Sequence, residues 1–344
     1  MEIKELIREN IESLQPYSSA RDEFKEISSA FIFMDANENP FESGLNRYPD
    51  PQQNLVKEAL SKIKGVPKEQ ILLGNGSDEV LDLIFRVFCE PREDQVIVLP
   101  PTYGMYEVLA KMNDIKLIKI PLLDNFQPNS NEVVKVQNTN TKVLFLCSPN
   151  NPTANSFDAN TIETLLKEFN GIVVIDEAYI DFSSEESWLS RINEFPNLIV
   201  TQTLSKAYGL AGIRLGICYA SQEIISILNK IKPPYNVNQL TQDVALKALL
   251  NRDEVINQIT AITSERNQLI KDLEKLDIVD YVYASDANFL LVKVDNANLR
   301  YEQLLDNGIV VRNRSSQILC ENCLRFTIGT KDENKKLITA LKSI

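Results

Sequence analysis

IVVIDEAYI (residues 172–180) is a continuous apolar run that closes on Asp176 and is followed by Tyr179. Such a run suits a strand of a parallel sheet that is buried on both faces. In open α/β sheets, ligands bind beyond the carboxyl ends of the strands, which is where Asp176 would sit. Outward from it, the same grammar repeats. VKEALSKIK puts Val56, Leu60 and Ile63 on one helical face. ILL (71–73) reads as a short strand, after which GNGSD turns into the apolar helix EVLDLIFRVF. VIVL (96–99), IKLIKI (115–120) and KVLFLC (142–147) read as strands, and TIETLLKEF as an amphipathic helix before IVVI. LIVTQT and LGICYA follow as further strands. The alternation predicts an α/β fold with a mainly parallel central sheet and helices on both faces. After KPPYNV (232–237) the character changes, with helical patterns through roughly 239–275 and strands at FLLVKV (289–294), GIVV (308–311) and LRFTI (324–328). This predicts a smaller α+β domain over 236–344, a large domain over 36–235, and an arm over 1–35 that packs with the small domain.

The 344 residues can bury a large core, and 44% hydrophobic with 24% charged residues is ordinary for a globular chain. A net charge of −12 argues against nucleic acid or anionic membrane as partners. No apolar run approaches the ~20 residues that span a bilayer. MEIKELIRENIESL is amphipathic and charged and does not read as a signal peptide, so a cytoplasmic enzyme is expected. There is no histidine, which removes Ser-His and Cys-His nucleophile schemes and His-ligated metals. Cys89, Cys147 and Cys218 lie in apolar contexts; Cys320 and Cys323 form a C-x2-C, but with no second pair no metal is expected. Acid–base work falls to Lys, Tyr, Asp or Glu.

TLSKAYGLAGIRLG (203–216) supplies the lysine. Lys206 follows the apolar run LIVTQT, and Arg214 comes eight residues later on a glycine-broken loop. Burial lowers an amine's pKa, and the neutral amine is what attacks a carbonyl. Thr203, Ser205 and Arg214 would suit a phosphate. A carbonyl-seeking lysine beside a phosphate site suggests pyridoxal phosphate as cofactor. Asp176 then has a task, since a carboxylate against the pyridine nitrogen keeps the ring protonated and electron-withdrawing. Tyr179 is placed for the ring's phenolic oxygen. In GNGSDE (74–79) the glycines, Gly76 among them, permit tight backbone geometry, and the amides of Ser77 and Asp78 would face an anion from a helix N-terminus. Taken alone, that loop reads more readily as a capped loop–helix junction.

The order SPNNPT (148–153), IDEAY (175–179), SKAYGLAGIRLG (205–216) and LRFTIGT (324–330) resembles the fold-type I pyridoxal-phosphate-dependent aminotransferases. PYSSAR (16–21), NENP (37–40), RYPDP (47–51) and GNGSDE narrow the resemblance to the branch acting on histidinol phosphate. The resemblance implies transamination between L-histidinol phosphate and 2-oxoglutarate, with Lys206, Asp176 and Tyr179 catalytic. It implies that Tyr103 stacks on the pyridine ring and that Asn151 bonds its phenolic oxygen. It also implies that Tyr48 reaches the phosphate across a homodimer interface. Arg325 is similar to the arginine that clamps the substrate's anion, with Tyr17, Arg21, Asn37, Arg312 and Arg314 as further candidates. An aromatic aminotransferase or a threonine-phosphate decarboxylase on the same frame is the alternative. The chain departs from the family pattern at Ala154, where glycine is usual; if that position needs positive φ, alanine carries strain.

Overall fold

The computed structural model describes residues 2–17 and 32–344. Among the described residues, seven strands form the large sheet: β1 (Ile71–Asn75), β2 (Gln95–Val98), β3 (Lys116–Lys119), β4 (Thr141–Cys147), β5 (Ile172–Asp176), β6 (Leu198–Thr203) and β7 (Leu215–Ala220). Their order is β1-β7-β6-β5-β4-β2-β3. The pairs β2/β3, β2/β4, β4/β5 and β5/β6 are parallel, while β7 runs against both β6 and β1. The sheet is therefore mainly parallel, as the alternation predicts, with one reversed strand. The reversal matters for the site. It brings the start of β7, with Arg214 just before it, to the edge where β1, β5 and β6 end.

The helices are α1 (Glu9–Glu12), α2 (Asn54–Lys64), α3 (Ser77–Phe88), α4 (Met105–Met112), α5 (Ser130–Val136), α6 (Ala159–Glu168), α7 (Gln222–Ile231), α8 (Gln239–Leu250) and α9 (Arg252–Leu273), then α10 (Ala297–Asp306) and α11 (Lys331–Lys342). Two apolar layers cover the two faces of the large sheet. One gathers Leu60 of α2 and Leu165 of α6 over Leu144 and Val200, and the other gathers Leu81 of α3, Leu109 of α4 and Leu228 of α7 over Phe145 and Val174. Burying strands from both sides is what the unbroken apolar runs require.

The second sheet is antiparallel, in the order β10-β11-β9-β8, built from β8 (Val279–Val282), β9 (Phe289–Val294), β10 (Arg312–Asn313) and β11 (Cys323–Thr327). Its core joins Leu290, Val292, Leu324 and Phe326 to Leu269 and Leu273 of α9 and Leu337 of α11.

Two expectations are corrected. GIVV is not a strand. Gly308 turns at φ 74 after α10, Val310 is 80% exposed, and pairing begins only at Arg312. Nor do the described residues of the arm pack with the small sheet. Ile3, Leu6 and Ile11 enter the layer of α3 and α7. The Arg8 amide donates to the Val87 carbonyl at 3.0 Å, Arg8 Nε meets Glu90 at 2.9 Å, and Lys230 Nζ donates to the Glu12 carbonyl at 2.8 Å. An apolar triplet fits any apolar face, and these polar contacts select the large one.

Ala154 takes the left-handed conformation, φ 68, and is fully buried against Tyr179, Phe182 and Phe289. Its amide and carbonyl are both used, by Asn150 and Asp286. The conformation costs an alanine about 1–2 kcal/mol. Glycine would relieve that, but would lose a buried methyl worth about 0.8 kcal/mol and free the unfolded chain by about 0.4–1 kcal/mol. Ala154→Gly is therefore expected to lie within about 1 kcal/mol of the parent in urea unfolding, by cancellation of these terms. Ala154→Val should cost at least about 2 kcal/mol, because a β-branched residue is disfavoured at that φ and overfills the site. A tolerated valine would show that the strain is absent.

Candidate active site

β5 delivers Asp176 to its carboxyl end, opposite Cys147 of β4 and Thr201 of β6 in the strand register. The Ser148 amide donates to the Asp176 carbonyl at 3.0 Å, which ties the SPNNPT turn to the same edge. Asp176 Oδ2 accepts from the Tyr106 hydroxyl at 2.8 Å, and Oδ1 from the Ala178 amide at 3.2 Å. Burial pushes this carboxyl's pKa up, and those two donors oppose the shift.

Around that edge one pocket collects Ser77, Asp78, Tyr103, Asn151, Asp176, Tyr179, Thr203, Ser205, Lys206 and Arg214, together with Cys147 and Ala178. Ten of the twelve residues expected at a cofactor are thus brought together. Gly76 adjoins them as the residue before α3, with φ 81. A Cβ there would lie 2.6 Å from Arg214 Nη2, so the guanidinium can approach only over a glycine. Gly216 of β7 is packed so closely that a Cβ would meet the Ser77 amide nitrogen at 2.3 Å.

At one end of the pocket are the first amides of α3, the hydroxyls of Thr203 and Ser205, which lie 3.0 Å apart, and Arg214. Asp78 sits among them. Its Oδ1 accepts from the Tyr103 hydroxyl at 3.1 Å, and Oδ2 lies 3.6 Å from Arg214 Nη2. In the middle, Lys206 Nζ lies 5.6 Å from the centre of the Tyr179 ring. Its pKa is lowered below the ordinary lysine value, first by burial and then by the charges of Arg325 and Arg214, with Asp176 opposing. Burial and the nearby Cys147 raise the Tyr179 phenol, and burial and Asp78 raise Tyr103.

At the other end, Arg325 of β11 donates through Nη1 to Asn151 Oδ1 and lies 5.1 Å from the Phe289 ring centre. Its Nε and that of Arg314 are buried without a hydrogen-bond partner among the described residues. Burial, then Arg314, brings the Arg325 pKa down to about 10, with Arg312 adding a further cation. Arg312 itself is exposed and pairs across β10/β11 with Arg325. A cluster of partly desolvated cations with unused donors is suited to an anion.

The donor set fits pyridoxal phosphate. A glycine-floored anion seat at a helix N-terminus, a lysine with a lowered pKa and a buried carboxylate line one pocket, the three kinds of group that molecule's phosphate, aldehyde and ring nitrogen require.

Three expected residues lie elsewhere, and a fourth is not among the described residues. Tyr48 is 51% exposed and stacks on Tyr235 at 4.5 Å, in a surface groove that also includes Asn37. Tyr17 is 76% exposed, and Arg21 lies outside the described residues. Sequence reasoning missed Cys147 and Tyr106. Cys147 was legible as the last residue of KVLFLC, but Tyr106 carried no local signal.

Fold and pocket define the architecture of a fold-type I aminotransferase. The family model described as aminotransferase class I and II matches residues 25–341, and the chain belongs to that family. It is 61% identical over 342 residues to a histidinol-phosphate aminotransferase of Christiangramia forsetii, covering 99% of this chain and 98% of that one. The histidinol-phosphate aminotransferase structure from Clostridium acetobutylicum superposes with a TM-score of 0.80 at 24% identity, over 87% of this chain and 91% of that chain. The enzyme of that name from Sinorhizobium meliloti, solved with pyridoxal-5'-phosphate, gives 0.78 at 23% identity, over 86% and 82%. These two likenesses carry the fold.

Proposed function

We propose that this chain is a pyridoxal-phosphate-dependent transaminase that moves the amino group of L-histidinol phosphate to 2-oxoglutarate. The products are imidazole-acetol phosphate and L-glutamate, a step of histidine biosynthesis. The observation that carries the chemistry is the single pocket joining an anion seat, Lys206 and Asp176. The near-full-length likeness to enzymes named for this substrate supports the choice of substrate.

When bound, the cofactor supplies an aldehyde carbon for the amino group and an electron-withdrawing ring that spreads the charge left by proton loss. The α3 amides of Ser77 and Asp78, the Thr203 and Ser205 hydroxyls and Arg214 hold its phosphate, and Gly76 leaves room for them. Tyr103 covers the ring's face. Asp176 pairs with the ring nitrogen. Asn151, with Oδ1 turned to Arg325, has its Nδ2 hydrogens left to donate to the phenolic oxygen, as does the Tyr179 hydroxyl. Lys206 would hold the cofactor through its aldehyde carbon, and its Nζ, once released, would carry a proton between the substrate's α-carbon and that carbon. Arg325, reinforced by Arg312, holds the substrate's anion, which is a carboxylate in glutamate and a phosphate in histidinol phosphate. Tyr17, Arg21 and Asn37 serve the larger substrate. The exposed positions of Tyr48 and Asn37 fit a homodimer in which each groove faces the partner's pocket. Among the described residues no helix is long and apolar enough to cross a membrane; a biosynthetic enzyme of this kind would work in the cytoplasm.

The test is spectral. L-histidinol phosphate added alone to the cofactor-loaded protein should abolish the visible band of the lysine-held cofactor, and 2-oxoglutarate should restore it. A band indifferent to histidinol phosphate, or release of CO2 from threonine phosphate with no need of a keto acid, would overturn the substrate assignment.

A further inference from the structure

Tyr106 is fully buried at the start of α4, and no role in the pocket accounts for its hydroxyl. Its ring stacks on Phe145 at 4.9 Å and meets Tyr103 edge-on at 5.6 Å. A phenylalanine would keep both contacts, so packing does not call for the oxygen. A hydroxyl taken out of water is costly unless it finds a partner. This one finds Asp176 Oδ2, at 2.8 Å.

We propose that Tyr106 is a positioning residue for amino transfer, fixing the Asp176 carboxylate in its ionised form and in the orientation that serves the cofactor's ring nitrogen. The inference rests on the transaminase reading of the pocket. Asp176 is enclosed and, to a lesser degree, feels the charge of Asp78, which lines the same pocket, and both circumstances favour its protonation. A protonated Asp176 would lose its attraction for a protonated ring nitrogen. Against this, the carboxylate has the Ala178 amide on one oxygen and the Tyr106 hydroxyl on the other. The shorter contact is the phenol's, and hydrogen bonds to a charged acceptor are the stronger kind. The same short segment therefore sets two groups. Tyr103 lies along the pocket and is tied to Asp78, while Tyr106, three residues on, reaches behind it to Asp176.

Tyr106→Phe tests this. Apoprotein of parent and variant is titrated with pyridoxal phosphate, before any turnover is measured. The variant's dissociation constant should rise about tenfold to a hundredfold, the range expected for one hydrogen bond to a buried charge. In the loaded enzyme kcat should fall by a similar factor, with KM for histidinol phosphate within about threefold of the parent. In an Asp176→Asn background the same deletion should change cofactor affinity by less than about threefold, because the partner that makes the hydroxyl matter is gone. A residue that only packs would lower the apoprotein's melting temperature and add its effect equally in both backgrounds. Parental cofactor affinity and kcat in Tyr106→Phe would overturn the proposal. Failure of the parent to bind the cofactor at all would instead overturn the transaminase reading. If Tyr106→Phe does not fold, 3-fluorotyrosine at position 106, the same shape with a more acidic hydroxyl, should hold the cofactor at least as tightly; a weakening would equally overturn it.

Discussion

Lys206→Ala is expected to lower the rate of amino transfer by at least about 10⁴-fold, because under the proposed roles it removes a nucleophile and a proton carrier in one substitution. No nearby group can take over. The chain has no histidine, Tyr179 and Tyr103 have phenols raised by burial, and Asp176 is engaged by the Tyr106 hydroxyl and the Ala178 amide. The amine's lowered pKa sets the sign of the pH effect. An amine whose pKa lies below the usual lysine value sheds its proton at a lower pH, so the neutral form that can accept the substrate's proton is present nearer neutrality. The measurement is a single-turnover half-reaction with histidinol phosphate, read as loss of the cofactor's visible absorption. The variant should still take up cofactor, since the α3 amides, Thr203, Ser205 and Arg214 remain. A small primary amine in the buffer should restore part of the rate in proportion to its neutral concentration. Lys206→Arg should be as inactive as alanine, because a guanidinium keeps its proton. Turnover within tenfold of the parent in Lys206→Ala would remove Lys206 from the chemistry.

Much of this site was legible because its parts lie where apolar runs stop. Runs buried on both faces must be strands, and their last residues line the edge where ligands bind; Cys147, Asp176 and Thr203 follow from that rule. The anion seat was legible in part from the glycines of GNGSDE, and Gly76 does stand where a Cβ would strike Arg214. Ala154 was legible for the opposite reason, as an alanine at a position that takes a positive φ. What could not be read is direction and partnership across space. LGICYA is apolar whichever way it runs, and only its neighbours make β7 antiparallel. GIVV has the composition of a strand, but a glycine turn and the exposure of Val310 leave it unpaired. Ile3, Leu6 and Ile11 mark an apolar stripe without naming its surface, and Arg8 with Glu90 decides it. Tyr106 differs from an ordinary core tyrosine only in what its oxygen touches, a contact 70 residues away in the chain.

Arg325→Leu is expected to lower kcat/KM for histidinol phosphate and for 2-oxoglutarate together, each by roughly 10²–10³, because losing one member of a buried charge pair costs about 2–5 kcal/mol. Under the proposed function one guanidinium fork serves two anions. Arg325 projects from the small sheet toward Asn151 in the turn after β4, with its Nε unused among the described residues and the cations Arg314 and Arg312 nearby. Burial first, and then repulsion from Arg314 and Arg312, brings the Arg325 pKa down to about 10. The unliganded fold therefore bears a cost that either anion relieves on binding. Two further results follow from that cost. The Arg325→Leu apoprotein should be at least as stable to heat as the parent, since a partly desolvated charge among like charges has been removed. Lys206 should also change, because the Arg325 cation is the second-largest influence lowering its pKa. Without it the amine keeps its proton to higher pH, and the rising limb of the kcat/KM profile should move in the alkaline direction. Arg325→Lys should recover the charge and the pH profile but only part of the binding, since an ammonium cannot make the two parallel contacts of a guanidinium. Measuring both half-reactions separately decides the matter: a loss confined to the keto acid would assign Arg325 to carboxylates alone and leave the substrate's phosphate to Arg312 and Arg314.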